Sequence, residues 1–90
     1  MKYFAWNKRK NEQLKKERGI SFELIIHQIE NRKVLAVEDH PNQKKYPNQR
    51  MLIVEFKNYA FIVPFIENED EVFLKTIIPS RKATNKYLNK

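Results

Sequence analysis

A set of ten side chains from residue 40 onward is of the types that handle phosphate. His40, Lys44, Lys45, Tyr46 and Arg50 lie in or beside one loop, Lys75 on a later strand, and Arg81, Lys82, Lys86 and Tyr87 near the C-terminus. Cleaving RNA needs little more than such a set. The 2′-hydroxyl attacks the adjacent phosphate, a base takes its proton, an acid protonates the leaving oxygen, and cations stabilise the charge that builds on phosphate. Arginine suits the last task because its planar fork holds two phosphate oxygens. The same side chains would also grip a nucleic acid without cutting it, and residue types alone do not choose between the two.

Other chemistries lack their parts. There is no cysteine, hence no thiol chemistry and no disulfide framework. The two histidines, His27 and His40, are far apart, and the carboxylates near them show no metal-ligand spacing. No metal or other cofactor is expected. His27 falls opposite the apolar face of its helix and is expected to be exposed. The only glycine is Gly19, which removes the glycine loops that cradle nucleotide phosphates.

Charge points to an acidic partner. The net charge is +7 over 90 residues, high for so short a chain, and it argues for nucleic acid, an acidic protein or a membrane surface. Cations gather in three places: residues 1–20, the loop 40–50, and the tail with Arg81, Lys82, Lys86 and Lys90 and no acid. The acids of Glu67-Asn68-Glu69-Asp70-Glu71 are expected to form a solvated turn. The N-terminal residues lack the apolar run of a signal peptide, and no apolar stretch is long enough for a membrane span. A cytoplasmic protein of one domain, 1–90, is expected.

The frame for these side chains can be read from caps and periodicity. Asn7 and Gly19 bracket a polar first helix over 7–18, with Leu14 on its thin buried stripe and a Glu12–Lys16 pair on its surface. Ser21 caps a second helix that should stop near Asn31. Phe22, Ile25, Ile26 and Ile29 form one apolar face of it. The period then changes. Strands are expected over 34–38, 51–56, 59–66 and 72–78, with Lys57-Asn58 as a hairpin turn, and a further short strand over 2–4. Pro64 inside the third run marks an edge side or a bulge. Residues 81–88 read as a short C-terminal helix. The expected architecture is α+β: two N-terminal helices packed on an antiparallel sheet of three to five strands, with the helices on one face. The run 59–66 is apolar on both alternations and should be central, covered on both sides. The Phe22 face should pack on Leu52, Val54 and that strand.

Several segments together resemble the BrnT toxin family. They are Trp6-Asn7, Lys10-Asn11, Leu14, Gly19-Ile20-Ser21-Phe22-Glu23, Asn48-Gln49-Arg50 and Ile77-Ile78-Pro79-Ser80-Arg81-Lys82-Ala83-Thr84. The likeness spans nearly the whole chain and keeps the order of elements. It implies a RelE-like fold and a metal-independent endoribonuclease that cleaves RNA and stops translation. It also implies neutralisation by a cognate antitoxin, which carries its own DNA-binding domain and represses the operon as a complex. Arg50 matches the family's middle-strand arginine, and Arg81 with Lys82 matches its Arg-Arg pair. The family's serine before that pair is Pro79 here, with Ser80 one step later. The basic residue before Ile-Ile is Thr76, with Lys75 beside it.

On this reading Arg50, Arg81, Lys82, His40 and Ser80 are candidate catalytic residues, and Arg50 and Arg81 should share one concave surface. Lys44, Lys45, Lys75, Lys86 and Tyr87 are candidates for RNA binding. Lys8, Arg9, Lys15 and Lys16 on the first helix are candidates for antitoxin docking, with apolar surface around Leu24 as the alternative. Two other readings of the whole chain stay open. One is a toxin of the same fold that binds a protein target such as gyrase without cutting RNA. The other is a non-catalytic nucleic-acid-binding module.

Overall fold

The two N-terminal helices start and stop where their caps place them. In a computed structural model that describes residues 2–89, helix α1 spans Lys8–Arg18. Asn7 accepts a hydrogen bond from Lys10 N, and Gly19 ends the helix in the left-handed region at φ 66°. Helix α2 spans Phe22–Glu30, with Ser21 Oγ accepting from Leu24 N. Lys90, counted above in the basic tail, lies outside the described residues. On the surface of α1, Glu12 pairs with Lys15 at 3.4 Å rather than with Lys16.

Strands β1 (Tyr3–Trp6), β2 (Val34–Asp39), β3 (Gln49–Phe56), β4 (Tyr59–Glu67), β5 (Glu71–Leu74) and β6 (Ile78–Pro79) form one sheet, and helix α3 (Arg81–Tyr87) closes the chain. The domain is α+β. The strand order is β1-β5-β4-β3-β2, with β6 beside β4. The sheet is mixed, not antiparallel, because β1 pairs parallel with β5, Tyr3 opposite Glu71 and Trp6 opposite Leu74. The physical reason is the crossover. Helices α1 and α2 carry the chain from one edge of the sheet to the other, and the meander that returns ends beside β1 running in the same direction.

The expected strand 72–78 is interrupted at residues 75–77. Pro64, in the middle of β4, has no N–H to offer a neighbour. Its carbonyl accepts from Lys75 N at 2.8 Å, and antiparallel pairing with β4 resumes only at Ile78 opposite Ile62. Between these points Ile77 turns into the core, fully buried, and its carbonyl accepts a 2.8 Å bond from Arg18. The β3–β4 hairpin turns at Lys57 and Asn58, both with positive φ, the geometry of a two-residue type I′ loop.

The two faces of the sheet are covered by different elements. Leu14, Phe22 and Ile25 from α1 and α2 pack with Val54, Val63, Phe65 and Leu74 on one face, and Trp6 stacks on Phe22 with ring centroids 5.8 Å apart. Ile26, Ile29 and Leu52 join this cluster half-buried. Helix α3 lies on the opposite face, where Ala83, Tyr87 and Leu88 pack with Ile53, Ala60 and Ile62. The helices are therefore split between faces, and β4 is covered on both sides. Hydrogen bonds lock α3 in place. Thr84 Oγ1 accepts from Ala60 N and donates to Ser80 O, both at 2.8 Å, and Ser80 N donates to Ala60 O at 3.0 Å. Among the described residues no helix is long and apolar enough to cross a membrane.

Candidate functional site

Because α3 covers only part of its face, a cleft of about 290 Å3 opens between α3 and strands β2 and β3. Its floor is apolar, made by Met51, Ile53 and Ile62, and its polar wall is Glu38, Asp39, Ser80, Lys82, Lys86 and Tyr87. Strand alternation puts Glu38 on this face, opposite Met51. Lys82 and Lys86 stand four apart on α3, on one side of the helix.

The cleft is organised around Glu38. The Tyr87 hydroxyl donates a hydrogen bond to Glu38 Oε2, and Lys86 Nζ lies 3.6 Å from the same oxygen. The Tyr87 bond holds the Glu38 carboxyl below the usual glutamate range, helped by the charges of Lys86 and Lys82 and opposed by partial burial. Lys86 is shifted upward, first by the Tyr87 oxygen and then by Glu38, and it also sits 5.1 Å from the Tyr87 ring centroid. The cleft therefore brings the Glu38 carboxyl and the side chains of Lys82 and Lys86 together. Among the described residues Lys82 enters no ion pair.

The candidates read from the sequence divide between the two faces. Lys82, Lys86, Tyr87 and Ser80 come together in the cleft. The Ser80 hydroxyl caps α3 by accepting from Ala83 N at 3.1 Å. Arg81 begins the same helix and is exposed. Arg50 lies elsewhere. It is paired with Phe65 across β3 and β4, on the α1/α2 side, 5.9 Å from the Phe65 ring and 3.5 Å from Asp39 Oδ1. The shared surface expected for Arg50 and Arg81 is not formed, since alternation along β3 turns Arg50 away from the face that α3 covers.

His40 follows directly on β2, one residue before Pro41 at the rim of the cleft. Lys44 and Lys45 are exposed in the loop that begins there, and Lys75 is exposed at the interruption after β5. Lys8, Arg9 and Lys16 are exposed on α1, whereas Lys15 is drawn between Glu12 and Glu23 at 3.4 and 4.0 Å. His27 is exposed. Among the described residues no group of three or more His, Asp or Glu is placed to hold a metal ion.

Glu38 was not among the candidates. In sequence it is one acid beside another, Asp39, at the end of an apolar run. A signal was nonetheless present: Ala36 and Glu38 share a strand face, and Lys82, Ala83, Lys86 and Tyr87 form a helical stripe that needs a partner. Asn11 was also missed as a structural residue. It is buried, accepts from Phe22 N and donates to Glu23, both at 2.8 Å, and so ties α1 to the start of α2. The Asn11 bond is also the main reason the Glu23 carboxyl is lowered. No family model, curated protein or solved structure matches the chain.

Proposed function

We propose that this protein is a metal-independent endoribonuclease of the toxin type, BrnT-like with a RelE-like fold. It would act on RNA in the cytoplasm and be held in check by an antitoxin. The observation that carries this reading is the cleft, where Glu38, Tyr87, Lys82 and Lys86 stand together on an apolar floor in a protein of net charge +7. The substrate 2′-oxygen attacks its neighbouring phosphorus, and its proton passes to the Glu38 carboxylate. Lys86 and Lys82 offset the charge on the phosphate oxygens. The bond from phosphorus to the 5′-oxygen breaks, and that oxygen takes a proton from the Lys82 ammonium. The products are a 2′,3′-cyclic phosphate and a 5′-hydroxyl; Glu38 then gives up its proton to solvent and Lys82 regains one from it. Tyr87 fixes the Glu38 carboxylate in place. On this reading Arg50 lies off the substrate path, on the far side of the sheet, and Ser80 serves as a cap.

The test is incubation of the purified protein with single-stranded RNA in excess chelator, followed by analysis of fragment ends. Cyclic phosphate and 5′-hydroxyl termini are expected, lost in Glu38→Gln. Intact RNA with folded protein, or cleavage that returns only with magnesium, would overturn the reading. The antitoxin would be steered by the cations of α1, with Lys8, Arg9 and Lys16 more available than Lys15. Reversal of these charges to Glu should slow association at low salt and have little effect at high salt.

A further inference from the structure

The loop at residues 40–48 is exposed yet tightly tied. His40 N donates to Gln49 O at 3.1 Å, Tyr46 N to Asn42 O at 3.0 Å, and Gln49 N to Tyr46 O at 3.3 Å. Asn42 N donates to His40 Nδ1 at 3.0 Å, and Asn42 Oδ1 accepts from Lys45 N at 3.2 Å. Gln43 Nε2 bridges the carbonyls of His40 and Gln49 at 2.8 and 3.1 Å. These bonds hold one aromatic pair. The His40 and Tyr46 rings lie 4.5 Å apart by centroid, and Tyr46 remains 37% exposed, one of the few large hydrophobic side chains that do. Lys45 Nζ hangs 5.4 Å from the Tyr46 ring centroid on a flexible stem, and Lys44 stands beside it in solvent.

A partly exposed ring, tilted 42° against a second ring in a loop held by backbone bonds and set beside cations, is suited to a flat partner carried on an anionic chain. Every nucleobase has such a face, and aromatic stacking on bases is tolerant of sequence. The position agrees. Pro41, the next residue after His40, lines the cleft that holds Lys82 and Lys86. We infer that Tyr46, backed by His40, is the stacking platform for one unpaired base of the RNA, next to the phosphate held in the cleft, with Lys44 and Lys45 on the flanking phosphates. The inference rests on the ribonuclease reading above and adds to it a requirement for single strands. A paired base keeps its faces in the duplex and leaves the platform empty.

The test is binding, measured with short RNA strands made uncleavable by 2′-O-methyl groups: one with all bases, one abasic throughout, and one duplex. Tyr46→Ala is expected to weaken the base-bearing single strand about 5- to 150-fold, the equivalent of one lost stack. It should leave the abasic strand and the duplex unchanged, and Tyr46→Trp should restore wild-type affinity. Tyr46→Ala binding the base-bearing strand as tightly as wild type, or losing the abasic strand equally, would overturn the platform. If Lys82→Ala still weakened binding in that case, the ribonuclease reading would survive. Wild-type protein that binds none of the three strands would overturn both and point to a protein partner.

Discussion

The face of the sheet under α1 and α2 and the face under α3 are filled in different ways. The first is closed. Phe22, Ile25, Val54, Val63 and Leu74 are fully buried there, and the polar residue that joins the two helices, Asn11, has its bonds satisfied inside. The second is half open. Its buried apolar members are Ile53, Ala60 and Ala83, two of them alanines, and the cleft opens beside α3 over Met51, Ile53 and Ile62. One face thus carries stability and the other exposes a carboxylate, a phenol and two lysines over an apolar floor. The split also sorts the arginines and lysines. Arg50, on the closed side, is held by Asp39 and Phe65, whereas Lys82, on the open side, has no ion-pair partner among the described residues.

The sharpest way to break this comparison is to truncate each face. Ile25→Ala should cost ~2–5 kcal/mol, because the side chain is fully buried and the change leaves a cavity in the core. Leu88→Ala, on the half-buried rim of the α3 face, should cost about 1 kcal/mol. Denaturant titration of both variants decides the matter. Equal losses would mean that the α3 face bears as much of the stability as the other.

Activity should divide in the opposite sense. Lys82→Ala is expected to lower the cleavage rate about 100-fold, the scale of losing one donor to a charged transition state. Arg50→Ala should leave the rate within about threefold, since removing a group off the site changes a barrier by well under 1.4 kcal/mol. An Arg50 variant as impaired as Lys82→Ala would show that the substrate wraps around the sheet edge to reach both faces. Asn11→Ala, on the closed side, should act on stability alone. It strands the buried Phe22 N–H and should cost about 1–3 kcal/mol in unfolding free energy with the cleavage rate unchanged.

How legible the molecule was in its sequence follows from the range of each interaction. Caps act within four residues, so Asn7, Gly19 and Ser21 placed α1 and α2 to within a residue. The apolar period of Phe22, Ile25, Ile26 and Ile29 named the packed face of α2, and Lys57-Asn58 named the hairpin. What local pattern does not carry is partner choice. A four-residue strand such as β1 holds no signal of which strand it will join, or in which direction, and 72–78 gave no sign that Pro64, eight residues before its start, would interrupt it. The same limit hid the site. Arg50, Lys82 and Lys86 are equally basic in sequence, and only the side on which α3 lands decides which of them meet Glu38. The family resemblance supplied Arg50 and Arg81 as a pair, and the sheet alternation separates them.

The smallest effect expected concerns the bond at the centre of the open face. The Tyr87 hydroxyl is the main reason the Glu38 carboxyl lies below its ordinary range. A carboxyl whose folded value is lowered contributes stability above its unfolded value, near 4.3 for glutamate, and loses it as the pH falls through the folded value. Tyr87→Phe removes the hydroxyl and keeps the ring packed on Ile53 and Ala83. Wild type should therefore exceed Tyr87→Phe in stability at pH 7, by under about 1 kcal/mol because the Glu38 side chain is 35% exposed and screened by solvent. The gap should close between about pH 4.3 and the folded value below it. Urea titrations at neutral and acid pH measure both ends. On the closed face Asn11→Ala serves as the reference: its main loss is the Phe22 N–H bond, which does not titrate, so most of its cost should persist at the acid end. A Tyr87→Phe gap that persisted there too would mean that the hydroxyl acts through packing or through a neutral hydrogen bond, and that Glu38 is not held ionised by Tyr87.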